Sequence, residues 1–160
     1  SEILEAYYFM LVNFCTRNGD LEMINKLKQF YLSSSFSYVE NNEYRYPIEI
    51  SQLYKKSGDL NKALEVLSHC YPQNITDWYF NRVYIAFLLE NKQIDLAEKI
   101  AYQGIEKMPA SEDAWDSLNF VINAKGQTTE AEKIKAKADE LFKHKIEIKN
   151  ALRKLYCKTQ

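Results

Sequence analysis

The sequence predicts an all-α chain built as an array of antiparallel helix hairpins, and three observations carry that prediction. Its 160 residues hold only 4 Gly and 3 Pro, too few breakers for a protein of short strands and turns. Apolar residues recur at helical spacing, as in Leu60, Ala63, Leu64 and Leu67 at i, i+3, i+4 and i+7, and no segment alternates with period two. A break between helices returns at one constant interval, thirty-four positions, at Gly58, Lys92 and Gly126. Internal periods of about 20–50 residues mark repeat architectures.

The first unit, about 5–32, is the most degenerate. It keeps Leu11 and Cys15 and then breaks at Asn18-Gly19-Asp20-Leu21. A Gly there can take the left-handed conformation that closes a helix, and the Asp after it can accept from the free N–H groups of the next. Ile24 stands five residues past Gly19, where the later units place an alanine. The interval from Gly19 to Gly58 exceeds the period by five, so five extra residues fall in the connection from Ser33-Ser34-Ser35 to Tyr46.

The second unit, about 44–74, carries Ile50, Tyr54, the break Ser57-Gly58-Asp59-Leu60, Ala63 and Cys70, with Pro72 expected to end its helix. In the third, about 78–111, the run Val83 to Leu89 is apolar around most of the helix, as in a helix packed on several sides. Its break is Asn91-Lys92-Gln93-Ile94-Asp95, with Asn91 read as the left-handed residue, followed by Ala97, Gly104 and a terminating Pro109. The fourth, about 112–145, has Trp115, Leu118 and Ile122, then Lys125-Gly126-Gln127-Thr128, Ala131 and Ala138. Thr129-Glu130-Ala131-Glu132 reads as a capping box. The alanines at 63, 97 and 131 sit at one fixed point of each unit, as close helix crossing requires, and added bulk there costs roughly 1–3 kcal/mol.

Thr129 to Cys157 contains no Gly or Pro. It reads as the second helix of the last unit followed by a capping helix at about 146–157, which shields the end of a stack. The alternative is a heptad seam for docking or dimerisation that includes Ile148, Leu152 and Leu155. Lys145 interrupts that seam, so capping is preferred.

Charge and composition exclude several classes. The formal net charge is −1, which disfavours a dedicated nucleic-acid binder. The first 43 residues carry 3 basic and 6 acidic groups, whereas residues 111–160 carry 10 and 8, a distribution that suits protein partners. The longest apolar runs, Ala6 to Val12 and Val83 to Leu89, are 7 residues each and cannot span a bilayer, so no membrane partner is expected. Cys15, Cys70 and Cys157 stand far apart with no CxxC, which fits reduced thiols in a cytoplasmic compartment. The chain opens at Ser1 without Met and already in helical pattern, which suggests a segment of a larger protein.

Residues that could carry catalysis are sparse. His144 and Glu147 form one His-x-x-Glu pair, but a di-metal carboxylate site needs that motif twice. His69 ends a helix, where its charge suits the dipole. The four glycines are too scattered for a phosphate loop. No enzyme, cofactor or metal is expected.

A helix–turn–helix unit of this length and pattern resembles the tetratricopeptide repeat (TPR). Trp115, Leu118, Ile122, Gly126, Ala131 and Ala138 match it best, with Tyr84, Leu88, Ala97, Gly104 and Pro109 in the unit before. The resemblance implies three to four repeats stacked in a right-handed superhelix, an α-solenoid whose concave face is lined by the first helix of each unit. On that alignment the groove presents Phe9, Asn13 and Arg17, then Arg45, Gln52, Lys55 and Lys56, then Tyr79, Arg82 and Leu89, and finally Asp116 and Phe120. Asn13, Arg17, Arg45, Gln52, Lys55, Lys56, Tyr79 and Arg82 are the candidate peptide-binding residues. Cations interspersed with amides and an aromatic suit an extended acidic peptide, so an adaptor or scaffold role is expected. Asp116 and Glu112 make the last unit locally acidic, which would polarise the groove. Co-chaperones of the TPR family grip an acidic chaperone C-terminus with a Lys and Asn clamp. Here those places hold Phe9, Ile48, Val83 and Ser117, with only Asn13 kept, which disfavours that sub-type. A self-assembly module using the C-terminal helix is the first alternative. The second is an RNA-binding helical repeat of the pentatricopeptide kind, which would need a more basic chain.

Overall fold

The computed structural model describes residues 2–34 and 46–156, and among them it contains eight helices and no strand. In order they are α1 (Glu2–Asn18), α2 (Leu21–Ser33), α3 (Pro47–Lys56), α4 (Leu60–Asn74), α5 (Trp78–Glu90), α6 (Ile94–Lys107), α7 (Glu112–Ala124) and α8 (Thr128–Tyr156). Every helix packs on the one that follows it, and α1 also meets α3 as α5 meets α7.

Four short breaks, after α1, α3, α5 and α7, set this arrangement. In each, a residue with positive φ follows the helix: Gly19 at 72°, Gly58 at 91°, Lys92 at 59° and Gly126 at 77°. The amide of the next residue then donates to the carbonyl five positions back: Asp20 to Cys15, Asp59 to Tyr54, Gln93 to Leu88 and Gln127 to Ile122. This six-to-one bond satisfies a carbonyl that the helix end leaves open. Asn91, expected as the left-handed residue, is instead an ordinary cap with φ −84°. Lys92 occupies the register of Gly58 and Gly126, because only that position lets the Gln93 amide reach Leu88.

The helices that follow are started differently. Asp20 accepts from the Met23 amide and Asp59 from the Lys62 amide, both at 3.0 Å. Gln93 takes that place before α6 and makes no such side-chain bond. Helix α8 begins at Thr128, so Thr129 lies inside the first turn rather than at the head of a capping box. Pro72 does not end α4, which runs two residues further to Asn74. Pro109 does lie outside α6. The stretch expected as two helices from Thr129 is one uninterrupted α8 of 29 residues.

A second bond recurs with the period. Asn81 Nδ2 donates to the Ile75 carbonyl at 2.8 Å, and Trp115 Nε1 donates to the Pro109 carbonyl at 3.0 Å. Donor and acceptor both shift by one full period, and only the donor's chemistry changes. Each ties the first turns of a helix to the connection before it. Asn81 is buried and its Oδ1 has no hydrogen-bond partner among the described residues, an oxygen that Trp115 does not carry.

The core runs through all eight helices. Ala63, Ala97 and Ala131 are buried at the crossing points, and Ile24 is buried at the same point of the first hairpin. Tyr54, Tyr84 and Trp115 are core residues too. Between hairpins, the Tyr71 hydroxyl on α4 donates to Gln103 Oε1 on α6 at 2.9 Å. Lys125 reaches back from the end of α7 to Glu98 on α6, a bond that raises the affinity of its ammonium for the proton. Lys145 on α8 meets Glu112 at the start of α7 at 3.0 Å.

Two expectations arise here. Nothing lies within 4 Å of a Cβ built on Gly58, so Gly58→Ala carries only the left-handed cost and should lower stability by about 1 kcal/mol. Lys92→Gly relieves the same cost and should raise it by roughly 0.5–1 kcal/mol; urea midpoints of the two variants should move in opposite directions. Burial, reinforced by Tyr84, pushes the Tyr71 phenol from 10.0 up to about 12. The fold favours the neutral phenol, so its contribution is complete below the unfolded value and is lost as pH rises through the folded one. Urea midpoints should therefore fall between pH 10 and 12, and less steeply in Tyr71→Phe.

Candidate functional site

The odd-numbered helices line up their outward side chains, and two clefts open between them. The first, about 280 Å³, lies where α1, α3 and α5 come together and is lined by Thr16, Arg17, Gln52, Lys55, Lys56 and Phe87. The second, about 510 Å³, lies between α5 and α7 and includes Arg82, Ala86, Asp113, Asp116 and Phe120.

Four of the candidate residues thus meet in the first cleft, though not in equivalent states. Arg17 and Lys56 are exposed and have no ion pair with any described residue. Lys55 differs: its ammonium is paired with Glu90 on α5 and sits 4.4 Å from the centroid of the Phe87 ring. A cation held against both a carboxylate and an aromatic face is a firmer contact than an open surface pair. Lys55 therefore joins α3 to α5 across the cleft floor rather than standing free for a ligand. Gln52 is half-buried beside it.

The other candidates are placed around the clefts. Arg82 lines the second, with Asp116 and an exposed Phe120, so one cleft is basic and the next mixes one cation with two carboxylates. Asn13 stands on α1 one turn before Arg17, and Tyr79 stands one turn before Arg82, edge-on to Trp78; neither is among the residues lining these two clefts. Arg45 lies outside the described residues. Phe9 is not a groove residue. It is buried and stacks on Tyr46, with ring centroids 4.2 Å apart, and also meets the Tyr31 ring on α2. Leu89 is half-buried against the core.

Glu90, Phe87, Thr16 and Asp113 were not among the residues expected from sequence. Glu90 had a usable signal, since it stands one repeat period after Lys56 and so ends α5 beside the end of α3. Spacing within one helix does not reveal that pair; reading one first helix against the next does.

Elsewhere, Ile148 on α8 is exposed, as is Leu141. Nothing is described for the side chains of Leu152 and Leu155, although both positions are helical. His144 Nδ1 and Glu147 Oε2 lie 3.2 Å apart on the open face of α8. Among the described residues no group of three or more His, Cys, Asp or Glu is placed to hold a metal ion. Cys15 and Cys70 are buried, and burial, with Asp20 nearby, pushes the Cys15 thiol up. Cys157 lies outside the described residues. No described helix is long and apolar enough to cross a membrane. Comparison with protein families finds no match, and comparison with curated proteins finds none.

Removing the Glu90 carboxylate should return Lys55 to the cleft. In Glu90→Gln, stability should fall by no more than about 1 kcal/mol, as for partly exposed ion pairs. Chloride dependence of the unfolding midpoint should weaken with it, and both are readable from urea titrations at two salt concentrations.

Proposed function

We propose that this chain is a non-catalytic module of the TPR kind that binds an extended acidic peptide segment of a protein partner in the cleft between α1, α3 and α5. The observation that carries this reading is the pairing of Arg17 and Lys56. Two exposed cations on neighbouring helices, neither engaged with a described carboxylate, flank a cleft with an amide wall and an aromatic floor.

The TPR reading is supported by turns that recur at one period from Gly58 to Gly126, by a cross-bond that shifts by that period, and by first helices that meet as α1 with α3 and α5 with α7. A right-handed superhelix would place both clefts on its concave side. Recognition would then be of the preorganised kind: the hairpins hold the cations at fixed separation, so little ordering cost falls on the receptor. Charge-assisted bonds from Arg17 and Lys56 to carboxylates contribute about 1.5–3 kcal/mol each when sheltered. Lys55, already neutralised, would position rather than bind.

An array of immobilised decapeptides, acidic and basic in matched pairs, tests the reading with the folded chain as probe. Acidic peptides should be retained and their basic counterparts not. Arg17→Glu with Lys56→Glu should weaken retention at least tenfold, and about 1.4 kcal/mol of lost interaction is enough for that. Equal retention by the charge-reversed chain, or retention of the basic set, would overturn the assignment. The circular dichroism of both chains should agree, since neither side chain is buried.

A further inference from the structure

Helix α1 has an apolar face that no described residue covers. Ile3, Tyr7, Met10 and Phe14 follow one another at steps of 4, 3 and 4, flanked by Leu4 and Leu11, and all six are exposed. No charged residue occurs from Ala6 to Thr16. An uninterrupted apolar face of this extent is uncommon on a monomer's surface and marks an interaction site.

The repeat shows what such a face is for. Counted back from the left-handed residue, Tyr7, Leu11 and Phe14 correspond to Phe80, Tyr84 and Phe87 of α5 and to Ala114, Leu118 and Val121 of α7. Those six are at most 5% exposed, whereas Tyr7, Leu11 and Phe14 are 64%, 44% and 65% exposed. Leu11 was expected as a packing residue from its place in the unit. It has the right place, but no described helix precedes α1 to cover it.

We infer that α1 is a self-association surface, on which a second copy of the chain seats its own α1 antiparallel. The extent of the face fits. At the exposures above, the six side chains offer on the order of 700 Å² per chain, so a pair can bury up to about 1,400 Å², an upper limit that reaches the range of stable interfaces. Steps of 4 and 3 are those of a two-helix seam, which lets two α1 helices pack along their length about a two-fold axis midway between Tyr7 and Met10, setting Ile3 of one copy on Phe14 of the other. An antiparallel pair also opposes the two helix dipoles, whereas a parallel pair would align them. Stacking head to tail is disfavoured by α8. Where α6 has Ala101 and Ile105 in or against the core, α8 has Lys135 and Asp139, both exposed, so at that place a second copy's α1 would meet two charged side chains.

Sedimentation equilibrium between about 1 and about 200 μM spans the dissociation constants expected of an interface without charged anchors. The native chain should pass from 18.8 kDa to twice that mass and stop there. Phe14→Glu and Met10→Glu, tested separately because both positions are exposed and neither should disturb folding, should each remain monomeric. Ile148→Glu should dimerise as the native chain does. A native chain that is monomeric throughout overturns the inference, and so does mass that grows beyond the dimer. Dimerisation that survives both α1 variants but fails in Ile148→Glu moves the interface to α8 and overturns it equally.

Discussion

The six-to-one hydrogen bond that closes each first helix is the constraint from which the rest of this structure follows. It demands one residue with positive φ and a chain that turns back at once. With that geometry repeated, the residue five positions past each turn, Ile24, Ala63, Ala97 and Ala131, is buried in every hairpin. A small side chain there lets the backbones approach. The period then becomes visible in bonds as well as in packing. Asn81 and Trp115 make the same link from different chemistry, which indicates that the position selects a donor and tolerates its identity.

Cleft formation is a by-product of that regularity. First helices that neighbour one another must present comparable stripes of side chain to the same side. What differs between units is charge, and the differences are local. Between α3 and α5 a cation, a carboxylate and an aromatic ring close on each other, giving the first cleft a stiff base. Nothing equivalent links Arg82 to Asp113 or Asp116 across the second cleft, where the charges stand apart around Phe120. Alignment of the helices thus builds two sites of different stiffness from one scaffold.

Much of this was legible in the amino-acid order because backbone conformation leaves a residue signature. Glycine at 58 and 126 and alanine at 63, 97 and 131 mark turns and crossings almost without regard to context. The misreadings share a cause. Asn91 is the better intrinsic candidate for positive φ, but the hydrogen-bond register decides, and the register chooses Lys92. Pro72 is a helix breaker in isolation, yet it stands in the last turn of α4, which continues only two residues beyond it to Asn74. Phe9 falls on the groove side by periodicity, and ring contacts with Tyr31 on α2 and with Tyr46 before α3, both distant in sequence, place it in the core. Neutralisation of Lys55 by Glu90 depends on two helices in successive units. Local propensity reads turns well; contacts between units require the units to be laid side by side first.

The order of charges from α1 to α7 has one more consequence. Arg17 and Lys56 come first, and Asp113 and Asp116 come last, with Arg82 beside them. A row of that kind has a heading. An extended ligand with acidic residues at one end and basic residues at the other would match the row in one sense of the chain. The same ligand laid the other way round would meet like charge at both ends. The charges alone would then set which end of such a ligand lies over α1 and which over α7.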